Sequence, residues 1–384
     1  MHDAIVVGGG PGGLYAASKV AAAGFSVALF EEHEVSGTPV HCTGVLAATA
    51  FDEFGLDVEP VLNQLRTVRF FAPSGDTVAY STPGVEAVVI DRVEFDRRLA
   101  ASAARAGVRF SYGVRVTAID VDASAVSVAV GGTVRRARAC ILACGAAYAA
   151  QRKLRLGIPR LLLHSAQAEL PASRPGDVEV HFGAGVAPRG FAWAVPVLRD
   201  RPSVRIGVMC ERHADRYFHQ MLSRLAARWG IRSPAACRPR QKILPLGPIR
   251  RTFADRVLVV GDAAGLVKPT TGGGIYYSLL SAQLAADTLI AALRRDDLAA
   301  ASLREYQVEW RRRIGSELRW QLVLRRIAQR LNDDEIEGLF SLARTDGLMP
   351  LLRCTAAFNQ HRDFIVALLK HPPARRVLFR AALA

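Results

Sequence analysis

"DAIVVGGGPGGLYAASKVAAAGFSVALFEEH", residues 3 to 33, reads as strand, glycine turn, helix and strand. Asp3 to Val7 is a short apolar strand, and Gly8, Gly10 and Gly13 follow with GxGxxG spacing. Leu14 to Ala23 is small and helix-favouring, and Ser26 to Phe30 is a second strand ending in Glu31 and Glu32. The glycines permit a tight turn, close approach of a pyrophosphate and close helix–strand packing. A carboxylate at the end of the second strand can hold a ribose, and Glu31 is the better placed, with Glu32 pointing to solvent. Glycine turns alone are common. Strand, helix and acid around this one predict a dinucleotide site on an α/β fold.

A second glycine-rich stretch, "GDAAGLVKPTTGGGIYYSLLSAQ", spans residues 261 to 283. From Ile275 onward, Leu279, Ala282, Ala286 and Leu289 recur with helical spacing. Three glycines cost backbone entropy on ordering, so a simple turn does not call for all of Gly272, Gly273 and Gly274. At a helix N-terminus they let an electron-rich group approach unpaired N–H donors with no Cβ in the way. Upstream, "RVLVVGDAAG", residues 256 to 265, is a third apolar strand running into Gly261 and Asp262.

Together these three segments resemble the geranylgeranyl reductase family, within the large flavoprotein group that includes aromatic hydroxylases. The resemblance implies FAD at the dinucleotide site, with Asp262 on its ribityl chain. Gly272 to Gly274 would then offer N–H groups to the pyrimidine side of the flavin, and a positive helix end would stabilise negative charge on the reduced ring.

Three further stretches bear on the site. In "GFAWAVPV", residues 190 to 197, Phe191, Trp193 and Pro196 match an aromatic segment of the family and would line a substrate pocket; read by alternation alone, the same strand is core. In "PVHCTGVLA", residues 39 to 47, Cys42 and Gly44 resemble a Cys-glycine turn near the flavin, although Thr43 stands where members often have glycine. Cys42 is the candidate proton donor, and a small buried packing residue is the alternative. Arg92, followed by Asp96, matches positions typical of the group. It either lies near the cofactor or organises its own helix start. Cys144, where Asp is frequent, reads as structural.

Composition sets bounds. The chain has 384 residues, half of them hydrophobic, enough for more than one average domain. Six cysteines (42, 140, 144, 210, 237, 354) form no CxxC pair and no zinc-like spacing, so no metal is expected and a reducing, cytoplasmic setting is. With the first strand expected to start at residue 3, no signal peptide is expected before it. No apolar run reaches the ~18 residues that spanning requires.

The motif order predicts a Rossmann-like FAD-binding domain from 1–60, 88–155 and 250–300. An antiparallel-sheet substrate domain would come from 61–87 and 156–249, followed by a helical C-terminal region, 301–384. A net charge of +15 raises nucleic acid as a partner, yet no recognised module or aromatic-interleaved basic stripe is present. Between Arg304 and Leu331, Tyr306, Trp310, Ile314, Leu318 and Leu322 form an i, i+4 row. Arg311, Arg312, Arg313, Arg319, Arg325, Arg326 and Arg330 crowd the rest. Such a helix docks on the body or rests peripherally on an anionic membrane.

The resemblance implies reduction of carbon–carbon double bonds in a prenyl lipid or similar apolar substrate, with hydride from N5 of the reduced flavin. Electrons would come from NAD(P)H or a ferredoxin-like protein. A flavin-dependent monooxygenase or halogenase of an apolar or aromatic substrate, and an electron-carrying flavoprotein, are the alternatives on the same scaffold.

Overall fold

The computed structural model describes residues 1–232, 234–345 and 347–383. By contact the chain divides into two units, 1–40 with 92–161 and 245–316, and 41–91 with 162–244 and 317–384. The sequence reading instead drew its first boundary after residue 60 and kept 301–384 separate. Segment 41–60 and the Ala87–Ile90 strand both fall in the second unit, because that strand pairs antiparallel with Val45–Ala47 and Val61–Leu65.

The first unit is α/β. Its parallel core runs, side by side, Val257–Val259, Thr133–Leu142, His2–Val7, Val27–Phe30 and Arg109–Ser111. Strands covered on both faces have no polar side, so they read as unbroken apolar runs. Ile5, Val6, Leu29, Ile141 and Leu258 are accordingly fully buried. Val116–Val121 and Val126–Val130 add an antiparallel flank to the first part of Thr133–Leu142.

Register aligns the ends of these strands. Val7 lies opposite both Leu142 and Phe30, and Leu142 lies opposite Val259. Gly8, Glu31, Ala143 and Val260 therefore leave the sheet at one edge, its C-terminal edge, where open α/β sheets bind their ligands. The helix Pro11–Ala22 begins there with Pro11 in its first turn. It packs against Ile275–Arg295 at close range, since a Cβ on Gly12 would stand 2.5 Å from Ser278 Oγ.

The second unit is built on a seven-stranded sheet. Its order is Arg240–Leu246, Leu161–Pro171, Ser203–Cys210, Phe191–Val197, Val178–His181, Thr67–Phe71 and Thr77–Ser81. Val178–His181 and Thr67–Phe71 run parallel, a departure from the all-antiparallel expectation. The amphipathic helix Ala214–Trp229 buries Phe218, Met221, Leu222, Leu225 and Trp229 against Ala192, Ala194, Ile206 and Val208. Among the C-terminal helices, Asp333–Thr345 is tied to the sheet loops: Glu337 accepts the Ser74 N–H at 2.5 Å, and Asp333 accepts that of Ala184 at 2.8 Å.

The long helix Ala300–Ala328 contributes residues up to Ser316 to the first unit and later ones to the second. Its apolar row is docked, not exposed. Tyr306 and Trp310 are 0% and 2% exposed, and they donate to the Val259 carbonyl at 2.8 Å and to Thr252 Oγ1 at 3.0 Å. The arginine crowd divides: Arg311, Arg312, Arg313, Arg319, Arg326 and Arg330 are exposed, but Arg325 is buried. No described helix is long and apolar enough to cross a membrane.

Candidate functional site

The C-terminal edge of the first unit gathers Gly8, Gly10, Gly13, Glu31, Asp262 and the triplet Gly272 to Gly274. Gly8 takes φ +106°, and a Cβ there would stand 2.4 Å from the Ala143 carbonyl oxygen. A Cβ on Gly13 would stand 2.0 Å from the Gly8 carbonyl oxygen. Those two glycines serve the turn and the helix–strand packing. Gly10 is different, because a Cβ there would meet nothing within 4 Å. Its bareness serves no neighbour in the chain, which suits backbone kept clear for a pyrophosphate.

Glu31 is buried with its carboxylate over the same turn. Oε2 accepts the Gly9 N–H at 2.6 Å, and Oε1 accepts the His33 N–H at 2.9 Å and faces His33 Nδ1 at 2.5 Å. Glu32 is exposed beside Arg115, at 3.4 Å. Arg92 is held in a two-pronged pair with Asp96, Nη2 to Oδ2 at 2.8 Å and Nε to Oδ1 at 3.2 Å. Of its two sequence readings, the ion pair at the helix start is the arrangement found.

The Gly261–Ala264 turn carries Asp262, and two side chains that sequence reasoning passed over pin it. Tyr148 Oη donates to the Asp262 carbonyl at 2.8 Å, and Gln151 Nε2 to the Ala263 carbonyl at 3.0 Å. Both lie just beyond the Cys144–Ala146 turn, and burial raises the Tyr148 hydroxyl far above its ordinary pKa. Burial likewise raises the Cys144 thiol, so it stays protonated at neutral pH. Two polar residues three apart on a mostly apolar stretch were the available signal.

Within the triplet the three glycines answer separate demands. Gly272 has φ +74°, and its N–H donates to the Lys268 carbonyl at 2.8 Å. Gly274, just before the helix Ile275–Arg295, would place a Cβ 2.9 Å from Asp262 Oδ1. Gly273 is exposed, and a Cβ there would meet Thr271 Oγ1 at 3.4 Å and Lys268 Cδ at 3.7 Å, both ordinary contacts. A bare, exposed backbone beside a carboxylate and a helix N-terminus fits the ribityl and pyrimidine parts of a flavin.

Cys42, Gly44, Phe191, Trp193 and Pro196 belong to the second unit. Gly44 takes φ +73° and donates its N–H to Cys42 Sγ at 3.3 Å. The loop is braced from the sheet: Thr43 Oγ1 donates to Gln167 Oε1 at 2.5 Å, and Arg205 Nη1 donates to the carbonyls of Thr43 at 2.7 Å and Ile90 at 2.9 Å. Arg205 is 3% exposed and pairs with Glu169 at 2.8 Å. Burial alone would raise Glu169, but hydrogen bonds from Ser203 and Arg205 outweigh it and hold the carboxyl below its ordinary pKa.

On Phe191–Val197 the alternation is literal up to Val195. Ala192 and Ala194 are fully buried under Ala214–Trp229, whereas Phe191 and Trp193 are half-buried on the other face. The Trp193 ring lies on Gly207 of the neighbouring strand, where a Cβ would stand 2.2 Å from Cζ2. A glycine inside a strand marks such close approach. Phe191 continues a run of rings: Trp193 at 5.7 Å, Phe182 at 6.2 Å, and from Phe182 to Phe70 at 6.4 Å and Phe340 at 6.1 Å. Pro196 is buried in register with Val204.

Comparison with known proteins agrees with this geometry. Residues 3–344 match the family described as lycopene cyclase protein. The chain is 31% identical over 357 residues to a digeranylgeranylglycerophospholipid reductase of Methanocaldococcus jannaschii, covering 88% of this chain and 90% of that one. Among solved structures it resembles a geranylgeranyl bacteriochlorophyll reductase-like protein from Thermoplasma acidophilum, with TM-score 0.83, 20% identity and 99% of each chain covered. The flavin-dependent halogenase CmlS shares the fold at TM-score 0.65 and 19% identity, with 92% of this chain and 78% of that one covered. The chain belongs to the geranylgeranyl reductase family of FAD-dependent oxidoreductases, and it is an enzyme.

Proposed function

We propose that the protein reduces carbon–carbon double bonds in an isoprenoid chain of geranylgeranyl type. The observation that carries the reading is the 31% identity, across 88% of the chain, to a reductase named for a digeranylgeranyl lipid. FAD, when bound and reduced, supplies hydride from N5. Glu31 holds the adenosine ribose, Gly10 admits the pyrophosphate, and Asp262 takes the ribityl chain. The bare backbone of Gly273 and Gly274 lies at the pyrimidine side, with Gly272, whose N–H is taken by the Lys268 carbonyl, shaping the turn before them. Arg92 supports the cofactor region through its pair with Asp96.

An isolated alkene has no carbonyl to polarise, so the protein acts through positioning and exclusion of water. Phe191 and Trp193, with the rings beyond them, form the apolar wall that does this, and Pro196, buried at the alternate position after Ala192 and Ala194, backs the strand. Cys42 gives the proton to the second alkene carbon. The Gly44 N–H at its sulfur would stabilise the thiolate left behind. NAD(P)H or a ferredoxin-like protein supplies the electrons. Peripheral contact with an anionic membrane would use the exposed arginines of Ala300–Ala328, since the apolar row of that helix is docked.

The test is anaerobic. The purified protein is reduced with dithionite, a geranylgeranyl lipid is added, and flavin absorbance and product mass are followed together. Reoxidation with addition of two hydrogens per flavin is the expected result. A flavin that stays reduced until air is admitted would move the reading to oxygen chemistry, the activity of the halogenase that shares this fold.

A further inference from the structure

The second half of the helix Ala300–Ala328 buries a polar stripe. Glu317, Gln321 and Arg325 follow one another at four-residue intervals and are 8%, 0% and 5% exposed. Two of the three are accounted for within the fold. Glu317 accepts the N–H groups of His361 at 2.5 Å and Arg362 at 3.0 Å, closing the start of the Arg362–Lys370 helix, and Gln321 donates to it at 2.6 Å. Arg325 is not.

Its Nε and Nη2 atoms are buried and have no hydrogen-bond partner among the described residues. The carbonyls of its own last helical turn, the usual acceptors for a basic side chain placed there, do not take these donors. Burial lowers the guanidinium pKa to about 10, which marks how poorly the charge is compensated. An apolar side chain of similar volume would be the more stable choice at such a position. The two open donors are not a random pair. Nε–H and Nη2–H point the same way along one edge of the guanidinium plane, at the spacing of two oxygens of one phosphate or carboxylate.

We propose that the Nε–Nη2 edge of Arg325 seats an oxyanion, taken by both donors at once. Its source is either the charged end of an isoprenoid substrate, which rests on the reading above, or a free anion of the same chemistry.

Three ligands separate the sources: inorganic phosphate, geranylgeranyl monophosphate and geranylgeraniol. Each is titrated into the FAD-loaded full chain by calorimetry and by melting temperature, for wild type, Arg325→Met and Arg325→Lys. Wild type is expected to bind the prenyl phosphate at least about tenfold more tightly than the alcohol. In Arg325→Met that ratio falls to about one with the affinity for the alcohol unchanged, and the ligand-free variant melts above wild type. Arg325→Lys keeps the charge without the fork and falls between; it carries the test alone if the Met variant does not fold. Stabilisation of wild type by inorganic phosphate, absent in Arg325→Met, with neither prenyl compound bound, would uphold the seat while the isoprenoid reading falls. Binding of geranylgeraniol with no gain from phosphate, or a phosphate preference that survives in Arg325→Met, would overturn the seat.

Discussion

Gly273 and Gly274 are neighbours with different obligations. A side chain at Gly274 collides with the Asp262 carboxylate 2.9 Å away, so any substitution disturbs the turn itself. At Gly273 the nearest atoms lie at ordinary contact distance, so the ligand-free fold has room for a side chain. Gly273→Leu is therefore expected to leave the unfolding free energy of the apoprotein within about 0.5 kcal/mol of wild type, as for other exposed sites, while the purified protein loses its yellow colour. A variant that keeps stoichiometric FAD would remove the flavin from this backbone. Cys42 admits a similar separation. Cys42→Ala should slow anaerobic flavin reoxidation by alkene about 10²-fold or more, the usual share of a general acid, with flavin content unchanged. Unaltered turnover would leave the thiol a packing residue.

At the scale of elements, the helix Ala300–Ala328 shows what an i, i+4 apolar row can and cannot say. Its spacing predicts that Tyr306, Trp310, Ile314 and Leu318 share a face, and all four are buried. Spacing does not say what covers that face, and core or membrane would read alike. Hydrogen bonds from Tyr306 to Val259 and from Trp310 to Thr252 decide for the first unit's own sheet. Trp310→Ala is accordingly expected to cost roughly 3–5 kcal/mol in urea unfolding, the range for large core aromatics. A loss below about 1 kcal/mol would mean that the row is not core. The same helix conceals Arg325, which the arginine-rich sequence groups with its exposed neighbours. Its burial depends on segments far away in the chain, and no local pattern marks it.

Over the whole molecule, the pH limits of stability follow from groups whose folded and unfolded pKa values differ. Asp122, held by Ser124, and Glu309, held by Arg312 and Arg313, are lowered to about 2. A depressed carboxyl contributes stability that is present above its unfolded pKa of ~4 and lost as pH falls towards the folded value. Tyr306 and Tyr148 are raised by burial, so their contribution is full below the unfolded pKa of ~10 and is lost above it. The melting temperature should therefore hold between about pH 5 and 9 and fall on either side. A decline that begins at neutral pH would place the sensitive groups elsewhere, with the histidines first in line.

The sequence by itself determined the strand, glycine turn, helix and strand that open this protein. Gly8, Gly10, Gly13, Glu31 and the strands that frame them are legible because strand, turn and helix are local codes with fixed periods, and a glycine turn is written in consecutive residues. Family resemblance carried the same reading to Asp262 and the glycine triplet. Only the tertiary structure decided which glycine clears space for a neighbour and which has no neighbour to clear, that Tyr148 and Gln151 pin the Asp262 turn, and that Arg205 braces the Cys42 loop. It also assigned Ala87–Ile90 to the second unit and left Arg325 buried with two open donors. Each of these depends on residues brought together across long separations, and burial and pairing are properties of that assembly, not of any window of sequence.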